Sequence, residues 1–521
     1  MISSLTHSLR LLRAGYVLAR EGVFGLVDPS PLPPSARFPI KFARLFERPH
    51  VAGRNRLPAA LTALGPTYVK LGQFLATRQD VVGLALSRDL ETLQDRMAPF
   101  PQVDAESTVA RALEKPVGAL FKSFGPAVAA ASIAQVHKAE TTDGRTVAVK
   151  VLRPGVEQRL RSELQSFYFA ARKAEEKSPE ARRLRLIEVV DTLARSVTVE
   201  MDLRLEAAAL SEMAENTKDD ADFRVPSVDW NFTAKDVLTL EWIDGTPLTD
   251  RAALAAKGYD LPDLGRIVIQ SFLRHAMRDG FFHADMHPGN LFVDHGGKLV
   301  AVDFGIMGRL GPKERRFLAE ILHGFITRNY LRVAQVHFDA GYVPPHHSVE
   351  AFAQAIRAIG EPINSHTAED ISMAKLLTLL FEVTGLFDMK TRPELLLLQK
   401  TMVVVEGVAR TLDPKLNMWT TAEPVVREWI TRNLGPAGRI EDAASGVMEV
   451  GGFLSQVPGL LMRAGRLVDQ LDAATRDGIV LSAETIAAIG KAEAQRNRSS
   501  AGALWAIAVL LFILVVGLFA G

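Results

Sequence analysis

The feature that most constrains the fold is a set of polar residues placed at fixed intervals within apolar sequence. Residues 283–290 read HADMHPGN and include Asp285 and Asn290. Eighteen residues after Asp285, the apolar run KLVAV leads into Asp303, the first residue of the tripeptide DFG. A carboxylate at the end of a buried strand usually has a partner, and a metal ion is a natural one. The pattern therefore predicts a fold in which a short hairpin brings two carboxylates and one amide together.

The spacing of these residues is typical of a site that transfers phosphate groups. In such a site one carboxylate, here Asp285, lies near a hydroxyl or water nucleophile. The amide oxygen of Asn290 and the carboxylate of Asp303 would then be ligands of Mg²⁺. The alternative is a turn rich in His, Asp and Asn that caps itself, and the DFG beyond the turn argues against it.

A phosphate-transfer site also needs a cation, and Lys150 is the candidate. It ends the apolar run VAVK, which predicts a strand, and a lysine on a strand can be held by an acidic partner. The acids in the segment VEMDLRLEAAAL are Glu200, Asp202 and Glu206. Asp202 and Glu206 can share one helical face, and we choose Glu206 as the partner of Lys150. Alternatively, one of the three merely makes surface ion pairs.

The loop expected to cover the phosphates lacks the glycines that let backbone N–H groups approach a phosphate closely. Its residues are Val128, Ala129, Ala130, Ala131, Ser132, Ile133, Ala134, Gln135 and Val136. Alanine carries a Cβ and disfavours positive φ, so this loop should be stiffer and more helical than a glycine-rich one. Either it binds a nucleotide in a different pose, or the site is not that of an ordinary protein kinase.

An upstream segment, LGPTYVKLGQFLATRQD, contains Lys70, Gly72 and Gln73. Its apolar residues recur with helical spacing, which predicts a helix. Taken alone, its polar residues indicate only a solvated helix face.

The composition excludes several other kinds of protein. The chain has 521 residues, of which 48% are hydrophobic and 23% are charged, a globular balance. It carries 61 basic and 60 acidic side chains, so nothing in its net charge of +1 suggests that it binds nucleic acid. It has no cysteine, which excludes disulfides, thiolate zinc sites and a cysteine nucleophile.

The last 21 residues, 501–521, carry no charged side chain. As a helix they would be about 31 Å long, enough to cross a bilayer core. The alternative is a buried core helix, which seldom runs this far without a polar side chain. Lys491, Arg496 and Arg498 precede the segment, so the positive-inside tendency places the large amino-terminal part in the cytoplasm. We therefore predict one transmembrane helix. For residues 1–28 we expect an amphipathic helix that packs on the protein rather than touching a membrane surface.

The sequence predicts an α+β fold. Short strands are expected over 117–152, 225–230 and 237–243, with a hairpin over 291–302. The expected segments are a helical extension (1–100), a strand-rich lobe with a helical insertion (101–245), a mostly helical lobe (246–430), an amphipathic helical tail (431–500) and the membrane helix (501–521).

Together these segments resemble the UbiB/ABC1/ADCK family of atypical kinase-like proteins. The resemblance covers roughly residues 60–310 and rests on seven motifs in order. They are Lys70-x-Gly72-Gln73, the alanine loop 129–132, VAVK at 147–150, Glu200-x-Asp202 with Glu206, LTLEWIDG at 238–245, HADMHPGN at 283–290 and DFG at 303–305. The resemblance implies a protein-kinase-like, two-lobed fold with a helical amino-terminal extension that carries the KxGQ motif.

The resemblance also implies roles for these residues. Residues 128–136 would cover the phosphates of ATP, and Lys150 would contact them. Asp285 would be the proton acceptor, while Asn290 and Asp303 would hold Mg²⁺.

In this family the KxGQ helix folds over the active site. Lys70 and Gln73 would then occlude the place of a protein substrate. The resemblance implies Glu200 as the partner of Lys70, with Asp202 in the same acidic motif.

Members of this family support the biosynthesis of ubiquinone and related prenyl lipids, and they look more like ATPases or small-molecule kinases than protein kinases. Bacterial members lie at the inner membrane through carboxyl-terminal hydrophobic segments; two are common, whereas this chain has one clear span. The resemblance implies an anchored ATPase whose body lies in the bacterial cytoplasm. Its partners would be membrane lipids, isoprenoid quinone precursors and other quinone-biosynthesis enzymes. ATP hydrolysis would drive the extraction or presentation of these precursors.

Two alternatives remain open at this stage. The motif HxDxxxxN with His-Pro-Gly before the asparagine also resembles aminoglycoside- and choline-type phosphotransferases, which favours a small-molecule or lipid kinase. The second alternative is a nucleotide-gated scaffold of a quinone-biosynthesis complex. An ordinary protein kinase is disfavoured by the alanine loop and by the KxGQ motif.

Overall fold

The computed structural model describes most of the chain. The described residues are 2–26, 42–48, 55–76, 97–177, 184–365, 385–389 and 393–434, with single positions at 82, 86, 89, 90, 93, 182 and 383. Most of the predicted tail (431–500) and the predicted membrane helix (501–521) lie outside these residues, and both stay predictions. Among the helices that are described, none combines the length and the apolar character needed to cross a bilayer.

Helices and strands are numbered here along the described chain. The helices are α1 (Ile2–Arg20), α2 (Arg56–Leu64), α3 (Pro66–Ala76), α4 (Gln102–Ala112), α5 (Val117–Leu120), α6 (Val156–Lys177), α7 (Leu186–Glu200), α8 (Leu203–Asn216), α9 (Arg251–Ala256), α10 (Leu261–Arg274), α11 (Pro312–Ile326), α12 (Tyr330–Asp339), α13 (Val349–Ser365), α14 (Pro393–Leu412) and α15 (Met418–Leu434). The strands are β1 (Phe121–Ala130), β2 (Ala134–Thr141), β3 (Thr146–Leu152), β4 (Phe223–Arg224), β5 (Val237–Glu241), β6 (Gly245–Pro247), β7 (Phe281–His283), β8 (Leu291–Asp294), β9 (Leu299–Ala301) and β10 (Met307–Arg309).

The amino-terminal helix α1 packs on the body of the protein. It buries Leu11 and Leu18 in the main hydrophobic core. Arg10 donates a hydrogen bond to the carbonyl of Ser162 in α6 at 2.9 Å. The expectation that this helix packs on the protein is therefore confirmed.

The first sheet is antiparallel, in the order β1-β2-β3-β5. Val147, Val149 and Val151 of β3 are buried on one face, so Lys150 points to the other face, as strand alternation requires. Gly144 takes a positive φ of 90° in the turn between β2 and β3, where only glycine fits easily. The expected strand over 117–120 is wrong, because Pro116 fixes a φ of −59° that starts the short helix α5.

The second sheet, in the order β4-β9-β8-β6, carries the predicted hairpin β8–β9. A separate pair, β7 with β10, lies on either side of that hairpin in sequence. The strand expected over 225–230 is wrong as placed: Phe223 and Arg224 form the short strand that pairs with β9, and within 225–230 Val228 makes an isolated bridge to Leu240 of β5. Pro226 explains this difference, because a proline cannot donate a hydrogen bond to the ladder.

A buried polar cluster around Asp220 fixes the end of α10 against the second sheet. Arg278 donates to Asp220 Oδ1 at 2.6 Å, and His275 Nε2 lies 3.1 Å from Asp220 Oδ2. Arg274 pairs with Asp222, whose carbonyl accepts the N–H of Leu299 in β9. The cluster therefore links the helix that leads into β7 with the strand that leads into Asp303.

The His275 ring should make the fold sensitive to acid. The ring is buried, and burial lowers its pKa because a charged ring is poorly solvated there, although Asp220 opposes the shift. A lowered folded-state pKa gives stability that is present at neutral pH. That stability is lost as the pH falls below about 6.5, where the unfolded chain binds a proton first.

We therefore predict that His275→Gln, which keeps a donor for Asp220 but does not titrate, has a melting temperature that falls less steeply below about pH 6.5 than that of wild type. The measurement is thermal unfolding at a series of pH values. His295→Gln, at an exposed histidine, should keep the wild-type slope. Equal slopes for wild type and His275→Gln would contradict the prediction.

Candidate active site

Lys150 lies at the centre of the site, on β3. Its ammonium donates to both carboxylate oxygens of Glu206, at 2.8 and 2.9 Å, and to Oδ1 of Asp303 at 2.8 Å. The predicted ion pair with Glu206 is thus present, and Asp303 shares the same ammonium. A lysine has three N–H donors, and these bonds use all three.

The two carboxylates on Lys150 differ in exposure and therefore in what they can reach. The Glu206 side chain is 7% exposed and that of Asp303 is 49% exposed. Burial disfavours the charge on Lys150, but Asp303 and Glu206 outweigh it and raise its pKa. Lys150 holds the pKa of Asp303 well below its usual range, whereas burial raises the pKa of Glu206. Asp303 is therefore the more exposed of the two carboxylates and the one that can face an incoming ligand.

His283 links the segment that contains Asp285 to the segment that contains Asp303. Its ring accepts the N–H of Asp285 at Nδ1, at 3.0 Å, and donates from Nε2 to the carbonyl of Val302, at 3.1 Å. Burial lowers the pKa of His283, so the neutral ring carries its proton on Nε2. The Phe304 ring packs edge-on against it, with 4.8 Å between the ring centroids. Sequence reasoning named His283 as part of the motif but did not assign this bridging role.

Asn290 is buried and joins the same two segments. Its side-chain nitrogen donates to the carbonyl of Asp285 at 3.1 Å, and its backbone carbonyl accepts the N–H of Val302 at 2.9 Å. The first bond orients the amide group so that its oxygen could bind a metal ion. Asp303 follows Val302 with a φ of 63°, a left-handed conformation that a non-glycine residue seldom adopts outside functional sites.

The oxygen atoms gathered here fit a Mg²⁺ ion. Carboxylate and amide oxygens are the hard ligands that Mg²⁺ prefers, and Asp303 and Asn290 supply one kind each. Lys150, Glu206 and Asp303 together carry one excess negative charge, which a cation would neutralise.

The acidic segment does not form the single helix that its spacing suggested. Helix α7 ends at Glu200, and Asp202 caps α8 by accepting the N–H of Arg204 at 3.2 Å. Hydrogen bonds from the Arg204 side chain lower the pKa of Asp202. The expectation that Asp202 and Glu206 share one helical face is therefore wrong, because the chain leaves the helical path between Glu200 and α8.

The KxGQ motif lies on α3, and its lysine forms the ion pair that the resemblance implies. Lys70 Nζ lies 2.7 Å from Glu200 Oε2, and both side chains are largely buried. The positive charge of Lys70 adds to the effect of Lys150 in lowering the pKa of Asp303, so α3 lies near the same site. Gln73, on the same helix, is partly buried.

Glycine is required at position 72 because α3 packs closely on its neighbours. A Cβ added at Gly72 would lie 2.6 Å from a methyl carbon of Leu61 and 2.7 Å from one of Leu93. The leucine side chains would have to move to accept even alanine.

The alanine loop is an extended hairpin rather than a helical turn. Ala129 pairs with Val136 and Ala130 with Gln135, and the Ala131 N–H donates to the Ala134 carbonyl at 2.8 Å. The expectation of a more helical loop is therefore wrong, because the strand ladder continues to the tip. Side-chain exposure falls along it: Val128 and Ala129 are exposed; Ala130, Ala131 and Val136 are half-buried; Ser132, Ile133, Ala134 and Gln135 are buried.

Two side chains tie this hairpin to the chain that follows the KxGQ region. Gln135 accepts the N–H of Phe100 at 2.9 Å and donates to its carbonyl at 3.3 Å. Arg153 donates to the carbonyl of Ala131 at 2.8 Å and to that of Ala98 at 2.9 Å. The Gln135 side chain is thus committed to Phe100 and to His137, and its backbone lies in the sheet between Ala130 and Val151. Arg153 was missed; its only sequence signal is a basic residue directly after the strand that carries Lys150.

Comparison with known proteins gives a consistent result. The ABC1 atypical kinase-like domain matches residues 92–337, and the UbiB helical domain matches residues 356–417. A Marinobacter nauticus protein named "Probable protein kinase UbiB" is 39% identical over 84% of this chain and 81% of its own length. The chain belongs to the ABC1/UbiB atypical kinase family. An Azotobacter vinelandii protein with the same name is 38% identical over 87% of this chain and 84% of its own.

A structural neighbour is also found. It is titled "The complex structure of Rv3197-erythromycin from Mycobacterium tuberculosis". It aligns with a TM-score of 0.48 at 25% identity, over 71% of this chain and 95% of that one.

The match to the ABC1 domain begins after Lys70 and Gln73 and includes all the motifs from the alanine loop to DFG.

For this ABC1/UbiB protein we predict that Glu206→Ala lowers the free energy of unfolding by about 1–3 kcal/mol, because it removes two acceptors from a buried ammonium. Asp202→Asn is the matched control, since asparagine caps a helix as well as aspartate does. Denaturant unfolding of both variants is the measurement. If the two substitutions have equal effects, Glu206 does not hold Lys150 in the way described.

Proposed function

We propose that the protein is an ATP- and Mg²⁺-dependent ATPase that acts at a membrane on isoprenoid precursors of ubiquinone or a related quinone. The observation that carries this proposal is the bonding of Lys150 to both Glu206 and Asp303, beside the segment that holds Asp285 and Asn290. This set contains the cation, the metal ligands and the carboxylate that phosphoryl transfer requires.

Nucleotide binding would begin with an exchange of partners at Lys150. Because all three of its donors are engaged, the ammonium must release one acceptor before it contacts a phosphate. Asp303 is the acceptor to release, since it is half exposed and Glu206 is buried. The freed carboxylate and the amide oxygen of Asn290 would hold Mg²⁺, which when bound would neutralise charge on the phosphates.

Asp285 would act on the nucleophile. Its side chain is 39% exposed, so it can reach a water molecule or a hydroxyl group. His283 and Asn290 bond to its backbone, which fixes the position of the Asp285 Cα from which the side chain extends. Asp285 can therefore orient the nucleophile and accept its proton.

Hydrolysis is favoured over phosphorylation of a protein because of what surrounds the site. The buried ion pair of Lys70 with Glu200 keeps the KxGQ helix near Asp303, where a peptide would otherwise approach. The tip of the alanine hairpin is fixed by Arg153.

The membrane and quinone parts of the proposal rest on sequence. The uncharged segment 501–521 supports a membrane anchor, with the catalytic body in the bacterial cytoplasm. Membership of the ABC1/UbiB family supports a role in quinone biosynthesis. The partners would then be membrane lipids, isoprenoid quinone precursors and other quinone-biosynthesis enzymes.

A small-molecule or lipid kinase is the second candidate. The exposure of the Asp285 carboxylate favours it, since a substrate hydroxyl can occupy the same place as water. Transfer of the terminal phosphate to a lipid or small alcohol would distinguish this function from hydrolysis.

We predict that the purified full-length protein in anionic liposomes hydrolyses ATP, and that Asp303→Asn reduces turnover to background because Lys150 and Mg²⁺ both lose a charged partner. Release of phosphate is the measurement, and removal of Mg²⁺ by a chelator should have the same effect. Asp244→Asn, at an exposed carboxylate, is the control and should retain wild-type turnover. Wild-type turnover no higher than that of Asp303→Asn would overturn the ATPase assignment.

In a deletion strain we expect an early prenylated quinone precursor to accumulate, because its processing would lack ATP-driven presentation. Lipid profiling by mass spectrometry is the measurement. Wild type should restore the quinone and Asp303→Asn should not. Rescue by Asp285→Asn would instead indicate a nucleotide-gated scaffold.

A further inference from the structure

A second group of possible metal ligands lies outside the active site, in the helical part of the chain. His346 and His347 are in the loop between α12 and α13, and Asp388 is in the segment before α14. Asp388 Oδ2 lies 3.4 Å from Nε2 of His347 and 3.8 Å from Nε2 of His346. One ligand atom from each of the three residues lies within 4.8 Å of the others.

The surrounding packing holds these side chains in place. The His347 ring lies 5.3 Å from the ring of Phe387, and Phe387 in turn packs on Phe352 of α13 at 5.0 Å. Phe387 and Phe352 are both buried in a separate hydrophobic cluster formed around α12 and α13. Asp388 directly follows Phe387, so the packing of the Phe387 side chain fixes the backbone position of Asp388.

The backbone at Asp388 is also unusual. Its φ is 50°, in the left-handed region that a residue with a side chain seldom adopts. Such a conformation is strained and persists where the surroundings favour it. Here it accompanies a carboxylate that approaches two imidazole rings at once.

Two of the three ligand separations are equal or close to those around a four-coordinate metal ion, and the third is at most 4.8 Å. Zinc binds histidine nitrogen and carboxylate oxygen at about 2.0–2.2 Å, which places neighbouring ligand atoms about 3.3–3.6 Å apart in a tetrahedron. The separation between His347 and Asp388 lies in this range, and that between His346 and Asp388 is 3.8 Å, slightly longer. The site needs only a small movement of His346, whose side chain is 65% exposed.

We propose that His346, His347 and Asp388 bind a divalent transition-metal ion, best matched by Zn²⁺, with water as the fourth ligand. Two imidazoles and one carboxylate are a ligand set that zinc sites use, whereas Mg²⁺ requires oxygen ligands. The site therefore selects a different ion from the one proposed for Asn290 and Asp303, and it shares no residue with the active site.

The bound ion would connect two segments that are far apart in sequence. It would join the loop after α12 to the segment before α14, across the residues between 347 and 388. Because the unfolded chain does not hold these ligands together, the ion would stabilise the folded state. Its role is therefore structural, in the part of the chain matched by the UbiB helical domain and next to it.

The chain offers a matched comparison in the pair His295 and Asp244. His295 Nε2 lies 3.2 Å from Asp244 Oδ2, and both side chains are exposed. This pair has the same two ligand types but lacks the second histidine and the packed support. If any exposed histidine–aspartate pair bound zinc, His295→Ala would lower the binding as much as His347→Ala.

The test is calorimetric titration of the tag-free, full-length protein with ZnCl₂ after treatment with a chelator, without nucleotide. We expect one Zn²⁺ per chain in wild type, no competition from Mg²⁺, and a rise in melting temperature with Zn²⁺. His346→Ala, His347→Ala and Asp388→Asn should each weaken binding at least tenfold, while His295→Ala should bind like wild type. Co²⁺ should give visible absorption bands with wild type that are lost in Asp388→Asn.

Melting temperatures measured in chelator separate a folding defect from loss of ligands. His346→Ala is the decisive variant, since the His346 ring contacts the His347 ring but is 65% exposed and lies outside the hydrophobic cluster. Its melting temperature in chelator should therefore change little. Zinc binding that is absent from wild type, or equal in wild type and folded His346→Ala, would overturn the proposal. Because no ATP is present, these outcomes are independent of the ATPase assignment.

Discussion

The interaction on which the site depends is the shared ion pair of Lys150 with Glu206 and Asp303. One ammonium joins a strand of the first sheet, the first turn of α8 and the second residue after β9, three places that are distant in sequence. Removing a buried charged group from such a set leaves its partners without compensation, which is more harmful than removing a surface pair. The second sheet and the cluster around Asp220 bring Asp303 to this position, and His283 then orders the residues beside it.

Helix α3, which carries the KxGQ motif and is called the roof below, and the alanine hairpin are both tied to segments that form the site. Lys70 pairs with Glu200 at the end of α7, just before the turn that places Glu206. The same short acidic segment thus serves two lysines, one in the roof and one in the strand. Asp202, between the two acids, caps the helix that carries Glu206. Because one helix ends at Glu200 and Asp202 caps the next, the three acids do not lie on a single helical face.

Much of this site could be predicted from sequence because its residues obey local rules. The alternation of valines around Lys150 determines its direction, and the turn residues 295–297 determine the β8–β9 hairpin. Other features depend on tertiary contacts that leave no local pattern. Gln135 lies in the segment expected to cover the phosphates, yet its side chain bonds to Phe100, thirty-five residues earlier. The break before Asp202 depends on a capping bond that helical periodicity does not reveal, and nothing near His346 in sequence indicates Asp388.

Arg153 couples the two backbone segments whose carbonyls accept its hydrogen bonds. One rigid guanidinium bonds the tip of the hairpin and the irregular segment 97–100, through the carbonyls of Ala131 and Ala98. A displacement of either segment therefore stretches a bond to the other. The tip of the hairpin and the segment around Ala98 are therefore expected to move together. By thermodynamic reciprocity, a ligand that holds one of them still also makes the other harder to open.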